Sequence, residues 1–141
     1  MSGGAEPIAI VILAAGASRR MGVAKQLLRH RGHTLLRHAV DAALDSSCRP
    51  VVVVLGANAE AVQPEVEGLR VQIVWNAHWP EGLSTSIRAV FPELMALDGD
   101  TGAKQVIQRH AASVWPVPCP QGAVDLDTPE DYDTLRPRAT P

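Results

Sequence analysis

Cysteine is scarce: Cys48 and Cys119 are the only two in 141 residues. They have no CxxC spacing and no cysteine-rich surroundings, which excludes a zinc ribbon and a disulfide-stapled secreted fold and fits a reducing compartment. No uninterrupted run of about 18 apolar residues offers a transmembrane helix. The stretch Met1–Pro7 has no basic segment leading into a long hydrophobic one, so no signal peptide is expected there. Neither charge dominates: 13 Lys and Arg face 15 Asp and Glu, a net charge of −2. That balance argues against a generalised nucleic-acid or anionic-membrane surface. Internal repeats and low-complexity tracts are also missing. A soluble, cytoplasmic, single-domain protein is the expectation.

What is present is 46% apolar residues, a globular share, with charges unevenly placed. From Met1 to Val40, six basic residues (Arg19, Arg20, Lys25, Arg29, Arg31, Arg37) are opposed by Glu6 alone. From Gln121 to Asp133 there are five acidic residues and no basic one. A basic front and an acidic back suit an anion together with a cation, although each run is also an ordinary solvated face.

Ile8–Leu13 reads as a buried strand that stops at Ala14-Ala15-Gly16. Thr34 is a helix cap, followed by apolar Leu35, Leu36, Ala39, Val40, Ala43 and Leu44 at three- and four-residue steps. Val51–Leu55, closed by Gly56, and Val71–Trp75 read as two further strands, with a helical piece from about Ala59 to Val66 between them. Asn76–Gly82 reads as a loop and Leu83–Val90 as a helix. A helix capped by Asp100 through His110, a short strand Val114–Val117 and a final helix opened by Thr128-Pro129 complete the pattern. Strands alternating with helices predict an α/β fold with a parallel sheet covered on both faces.

The segment Leu13-Ala14-Ala15-Gly16-Ala17-Ser18-Arg19-Arg20-Met21-Gly22, with Lys25 just after it, carries the most chemistry. Small residues after a buried strand let backbone amides approach a phosphate chain, and nearby cations offset its charge. It is neither a Walker A loop nor a GxGxxG dinucleotide fingerprint. Downstream, Gly82 before a Ser-rich helix start offers free amides and small donors, as an ordinary capped helix also would. In Asp125-Leu126-Asp127, alternation puts both carboxylates on one side of an extended segment, where either suits a cation. Asp127 equally suits support of the Thr128 helix start. His30, His33 and His38 match no common metal-ligand spacing and read as loop and helix-surface residues. Trp75 and Trp79 read as packing anchors rather than stacking platforms.

The string LAAGASRRMGVAK from Leu13 to Lys25, with Gly32-His33-Thr34-Leu35-Leu36, resembles the MobA-like nucleotidyltransferases, and among them the molybdenum-cofactor cytidylyltransferases of the MocA type. NAHWPEGLSTSIR (Asn76–Arg88) and DLDTPED (Asp125–Asp131) are similar to that family's nucleotide segment and closing motif. The resemblance implies a Rossmann-like three-layer sandwich with a mostly parallel sheet, as in nucleotide-diphospho-sugar transferases. It implies nucleotide contacts from Leu13, Ala14, Ala15, Gly16, Ser18, Gly82, Ser84 and Ser86, and catalytic roles for Arg19 and Lys25. Arg20 ranks below Arg19 and Lys25 because consecutive loop residues seldom both face one ligand. Asp127 is implied as the ligand of Mg²⁺, and Ala14-Ala15-Gly16 as a version of the loop associated with CTP.

The resemblance runs from Ile8 to Leu135 but is interrupted. Ile87–Val90 passes directly into Phe91–Leu94, where the family carries a central strand ending in Asp-Gln-Pro, whose aspartate is the other metal ligand, and a Gly-His-Pro segment near the acceptor. Neither motif occurs in this sequence. The single domain 1–141 is therefore expected to lack a central segment between Val90 and Phe91. Such a loss exposes ladder groups unless another strand or a neighbouring chain replaces them.

The expectation is a Mg²⁺-dependent nucleotidyltransferase moving CMP from CTP to a phosphomonoester such as molybdopterin-type cofactor, releasing pyrophosphate. A sugar-1-phosphate nucleotidyltransferase shares the loop logic with another acceptor. A non-catalytic nucleotide-binding protein or molybdoenzyme partner is the reading that the missing second acidic motif favours.

Overall fold

The computed structural model describes residues 8–82, 85–86, 89, 108–109, 111–113, 116, 118–119 and 125–135. Of the expected strand Val114–Val117 only Pro116 is described, outside any strand; most of the helix from Asp100 to His110 and the junction of Val90 with Phe91 lie outside the described residues. Of the helix expected over Leu83–Val90, Thr85, Ser86 and Ala89 are described and helical.

The strands and α-helices whose full extent lies among the described residues are, in order, β1 (Ile10–Ala14), β2 (Arg29–His30), β3 (His33–Thr34), α1 (Leu35–Asp45), β4 (Val51–Leu55), α2 (Ala59–Val62), β5 (Gln72–Trp75) and α3 (Pro129–Asp133). Strands β1, β4 and β5 make a parallel sheet in the order β1-β4-β5. Every side chain of β4 is buried. Alternation sends Val53 and Leu55 to one face, where they join Leu36 and Val40 of α1 and Val62 and Val66. Val52 and Val54 point the other way and are equally buried, so both faces of the sheet are covered, as the α/β reading requires. Each fully buried Val or Leu contributes about 1.5–3 kcal/mol, which makes β4 the element that anchors the fold.

Boundaries shift for local reasons. β1 starts at Ile10 rather than Ile8 because its first ladder partner is Val51, with Ile10 N–H donating to Pro50 O at 3.0 Å. Val71 stays outside β5 because its N–H is used in a tight turn to Leu69 O at 2.9 Å. The helix expected to reach Val66 narrows to a 3-10 turn at Gln63–Glu65. Pro64 lacks the N–H an α-helix needs there, and its ring crowds the preceding turn.

Helix α1 begins as expected. Thr34 has extended backbone, and its hydroxyl accepts the Arg37 N–H at 3.2 Å. Just before it, β2 and β3 form a hairpin turning through Arg31 and Gly32, both at positive φ. The Tyr132 hydroxyl of α3 reaches Arg29 O at 2.5 Å, which ties the acidic C-terminal segment to this hairpin. Among the described residues, no helix is long and apolar enough to cross a membrane.

Candidate active site at the carboxyl edge of the sheet

Because β1, β4 and β5 are parallel, their carboxyl ends lie along one edge. The chain leaves that edge through three turns: Ala15–Gly22, Gly56–Asn58 and Asn76–Gly82. In open α/β sheets a ligand crevice forms outside the carboxyl ends of the strands. A cavity of about 720 Å³ lies beside these turns.

Ten of the eleven residues singled out in the sequence line this cavity: Leu13, Ala14, Ala15, Gly16, Ser18, Arg19, Lys25, Gly82, Ser86 and Asp127. The other, Ser84, lies outside the described residues. Gly82 has φ 114°, a conformation that favours glycine, where the loop turns back toward the sheet.

The charged groups meet across the cavity mouth. Lys25 Nζ donates to Asp127 Oδ1 at 3.2 Å and to Leu126 O at 3.0 Å. Arg20 Nη2 stands 3.1 Å from Asp127 Oδ2. The side chains are partly solvated, 42% exposed for Lys25, 73% for Arg20 and 28% for Asp127. Each pair therefore contributes about 0–1 kcal/mol, so the contacts are readily exchanged for a ligand's. Arg19 lines the same cavity and makes no ion pair among the described residues. Arg20 borders the cavity beside Arg19, where the backbone turns sharply at Ser18, whose φ is 55°.

Ser18 is more than a lining residue. Its carbonyl accepts the N–H groups of Met21 and Gly22 at 3.0 and 3.2 Å, and its hydroxyl accepts the Lys25 N–H at 3.2 Å. A left-handed serine costs on the order of 1–3 kcal/mol unless its surroundings hold it, and these bonds do so while fixing Lys25 relative to the loop.

The Asn76–Gly82 loop is held from behind. The buried Asn76 amide donates to Thr85 Oγ1 and Ser86 Oγ, both at 2.9 Å, and its Oδ1 accepts the His78 N–H at 3.0 Å. Ser86, expected as a nucleotide contact, thus accepts an N–H of Asn76 at its hydroxyl oxygen. Trp79 packs over Gly56, where an added Cβ would fall 2.8 Å from Trp79 Cβ and 2.9 Å from Ala15 Cβ. It therefore anchors the loop and also lines the cavity. Trp75 corrects the expectation, since at 53% exposure it anchors little.

Asp131 supports the carboxylate that the cations share. Its Oδ2 accepts the N–H groups of Asp127 at 3.0 Å and Thr128 at 2.9 Å, and Thr128 Oγ1 accepts the Asp131 N–H, which makes a reciprocal capping box. These bonds, the Asp127 N–H foremost and the Arg20 charge least, hold the Asp131 carboxyl below the usual carboxylate range. Asp127 is thus positioned through its backbone N–H by the start of α3, while its side chain pairs with Lys25 and Arg20; the carboxylate that supports the Thr128 helix start is that of Asp131 rather than Asp127. His38 lies on α1, whereas His30 and His33 lie in β2 and β3 rather than in a loop, with ring centroids 5.9 and 5.7 Å from that of His38.

Residues 10–94 match the family model of the MobA-like NTP transferase domain. The chain belongs to that family. The MobA-like match covers β1, the loop, Lys25 and the Asn76–Gly82 turn, and it stops before Asp127. Nicotine blue oxidoreductase of Paenarthrobacter nicotinovorans is 44% identical over 80 residues, 56% of this chain and 39% of that protein. The chain therefore spans well under half the length of this relative. A solved nucleotidyl transferase from Methanothermobacter thermautotroptrophicus (Mth528) superposes with a TM-score of 0.53 at 30% identity, covering 59% of this MobA-like chain and 43% of its own. Rv0371c from Mycobacterium tuberculosis H37Rv shares the fold, with a TM-score of 0.64 at 24% identity over 92% of this chain and 97% of that one.

Proposed function

We propose that this MobA-like domain binds CTP in the cavity at the carboxyl edge of its sheet and transfers CMP to a phosphomonoester acceptor of the molybdopterin type in the cytoplasm. The observation that carries the reading is the convergence of the small-residue loop, Arg19, Arg20, Lys25 and Asp127 on one cavity. The preference for cytosine rests on the resemblance of Ala14-Ala15-Gly16.

An acceptor phosphate oxygen attacks the α-phosphorus in line with the bond to the β-phosphate. The new P–O bond forms as the α–β anhydride bond breaks, and pyrophosphate departs with the electron pair. No protein nucleophile is required. Arg19, Arg20 and Lys25 offset the charge that grows on the leaving pyrophosphate, and the loop amides and Gly82 hold the donor in place.

The oxygen donors at the cavity mouth suit Mg²⁺. This ion takes oxygen ligands and usually only one or two carboxylates, with phosphates and water completing the shell. Asp127 suits one such position, since Lys25 and Arg20 now occupy its oxygens through exchangeable contacts that triphosphate oxygens would relieve. Bound there, Mg²⁺ would supply Lewis-acid polarisation of the phosphates.

A second reading, nucleotide binding without transfer, is favoured by the lack of an Asp-Gln-Pro motif in this sequence. The deciding experiment is calorimetric titration with CTP, GTP, UTP and ATP in Mg²⁺, followed by pyrophosphate release with molybdopterin or a sugar 1-phosphate as acceptor. The proposal expects CTP to bind best and pyrophosphate to appear only with the molybdopterin-type acceptor. Release with a sugar phosphate and UTP moves the acceptor class. Binding without release establishes the second reading, and no nucleotide binding refutes both.

A further inference from the structure

An anion cradle made of backbone has a built-in conflict, because every peptide that offers an N–H also carries a carbonyl oxygen that repels the anion. In this loop three consecutive carbonyls are tied to the body of the protein. Ala14 O accepts from Gln26 Nε2 at 2.9 Å, Ala15 O from the Ala57 N–H at 2.9 Å, and Gly16 O from Gln26 Nε2 at 3.0 Å. Across a planar trans peptide, N–H and C=O point in opposite directions. The amides of Ala15, Gly16 and Ala17 therefore each point opposite to a carbonyl that is held.

One side chain does two-thirds of this holding. Gln26 is buried, and a primary amide has two N–H donors, which matches the two carbonyls it serves. Its remaining oxygen lies 3.5 Å from Ser18 Oγ, the hydroxyl that accepts the Lys25 N–H. The clamp therefore links the loop to the 3-10 turn Lys25–Leu27, which carries the ammonium. Glutamate would place lone pairs against both carbonyls. Leucine would fill the space and leave both carbonyls without donors, free to turn toward the ligand.

We infer that Gln26 is a positioning residue for the triphosphate: it keeps the Ala14 and Gly16 carbonyls turned away from the anion so that the loop meets phosphate with amides. This rests on the nucleotide reading above and adds that the tail of the nucleotide, rather than its base, is what Gln26 governs.

The test compares CTP with cytidine, which has the same base and ribose without the anionic tail. Gln26→Leu is expected to weaken CTP binding by about ten- to a hundredfold and to leave cytidine binding within about twofold, a split that general loosening of the fold would not give. Gln26→Glu, nearly isosteric, is expected to weaken CTP binding at neutral pH at least as much. It should recover in part on acidification, when the protonated carboxyl regains one donor, and it carries the test if the leucine variant does not fold. Wild-type CTP affinity in both variants, or equal proportional losses for CTP and cytidine, overturns the role of Gln26 alone. A wild-type protein that binds cytidine but gains nothing from the triphosphate overturns the nucleotide-tail reading and this inference with it.

Discussion

Lys25 and Asp127 stand 102 positions apart in the chain, yet their side chains meet at 3.2 Å, and Arg20 closes on the other oxygen of the same carboxylate at 3.1 Å. The carboxylate thus takes the partners that phosphate oxygens would take, and it competes with a metal-free nucleotide for them. The contest is mild, since partly exposed pairs of this kind contribute about 0–1 kcal/mol each.

That relationship gives Asp127→Asn effects of opposite sign. Without divalent cation, the variant is expected to bind CTP up to about fivefold more tightly, because a negative charge beside the phosphates is gone and two cations are released. With Mg²⁺, turnover is expected to fall by about a hundredfold or more while nucleotide binding changes far less. Calorimetry in EDTA and in Mg²⁺, with pyrophosphate release alongside, measures both. Equal activity of the two proteins would show that the cation is held elsewhere.

Lys25→Ala removes the ammonium and leaves Leu126 O without that donor. Triphosphate binding is expected to weaken by about 1–3 kcal/mol, the range for a charge-assisted hydrogen bond to phosphate. Titration at fixed salt is the check, because screening alone shifts such affinities. An unchanged CTP affinity would remove Lys25 from the site.

Much of this site was readable because its signals are local. Val51–Leu55 is an apolar β-branched run, and it is the fully buried central strand. Thr34 caps α1 with the bond its side chain predicts. The loop residues and Asp127 were found by motif and do border one cavity. What was missed depends on tertiary partners or unusual turn chemistry. Gln26 sits beside a lysine and before two leucines, and nothing local says that its amide meets carbonyls ten and twelve positions earlier. The β2–β3 hairpin turns through Arg31-Gly32 rather than the Asn-Gly or Asp-Gly that marks such turns. Trp75 has an indole's appetite for burial, but it ends its strand beside a turn and is half exposed.

Gly56→Ala tests the close approach that positions Trp79. The new methyl would lie 2.8 Å from Trp79 Cβ and 2.9 Å from Ala15 Cβ, too close for either to remain in place. Neither neighbour is the far end of a flexible side chain, so backbone must move. Overpacking of this kind costs about 1–3 kcal/mol, and the displaced parts are the Ala15–Gly22 turn and the Asn76–Gly82 turn. Urea unfolding is expected to show that loss, with CTP affinity falling in parallel. Unchanged stability would mean that the turn adapts without strain.

Asp131 makes the α3 start sensitive to acid, and the sign follows from the direction of its shift. Its carboxyl is held below the usual range in the folded protein, chiefly by the Asp127 N–H and then by the Thr128 N–H. A lowered folded value means that its stabilisation is fully present above the unfolded value, about pH 3.9. It is lost as pH falls through the lower folded value. Asp131→Asn, which cannot offer a charged acceptor, is expected to be less stable than wild type by a constant amount above about pH 5, with the gap narrowing below about pH 4. Urea unfolding of both proteins across that range measures it. Because Asp131 holds the Asp127 N–H, CTP affinity in Mg²⁺ is expected to fall in the variant as well, and a stability gap that widens on acidification would contradict this account of the capping box.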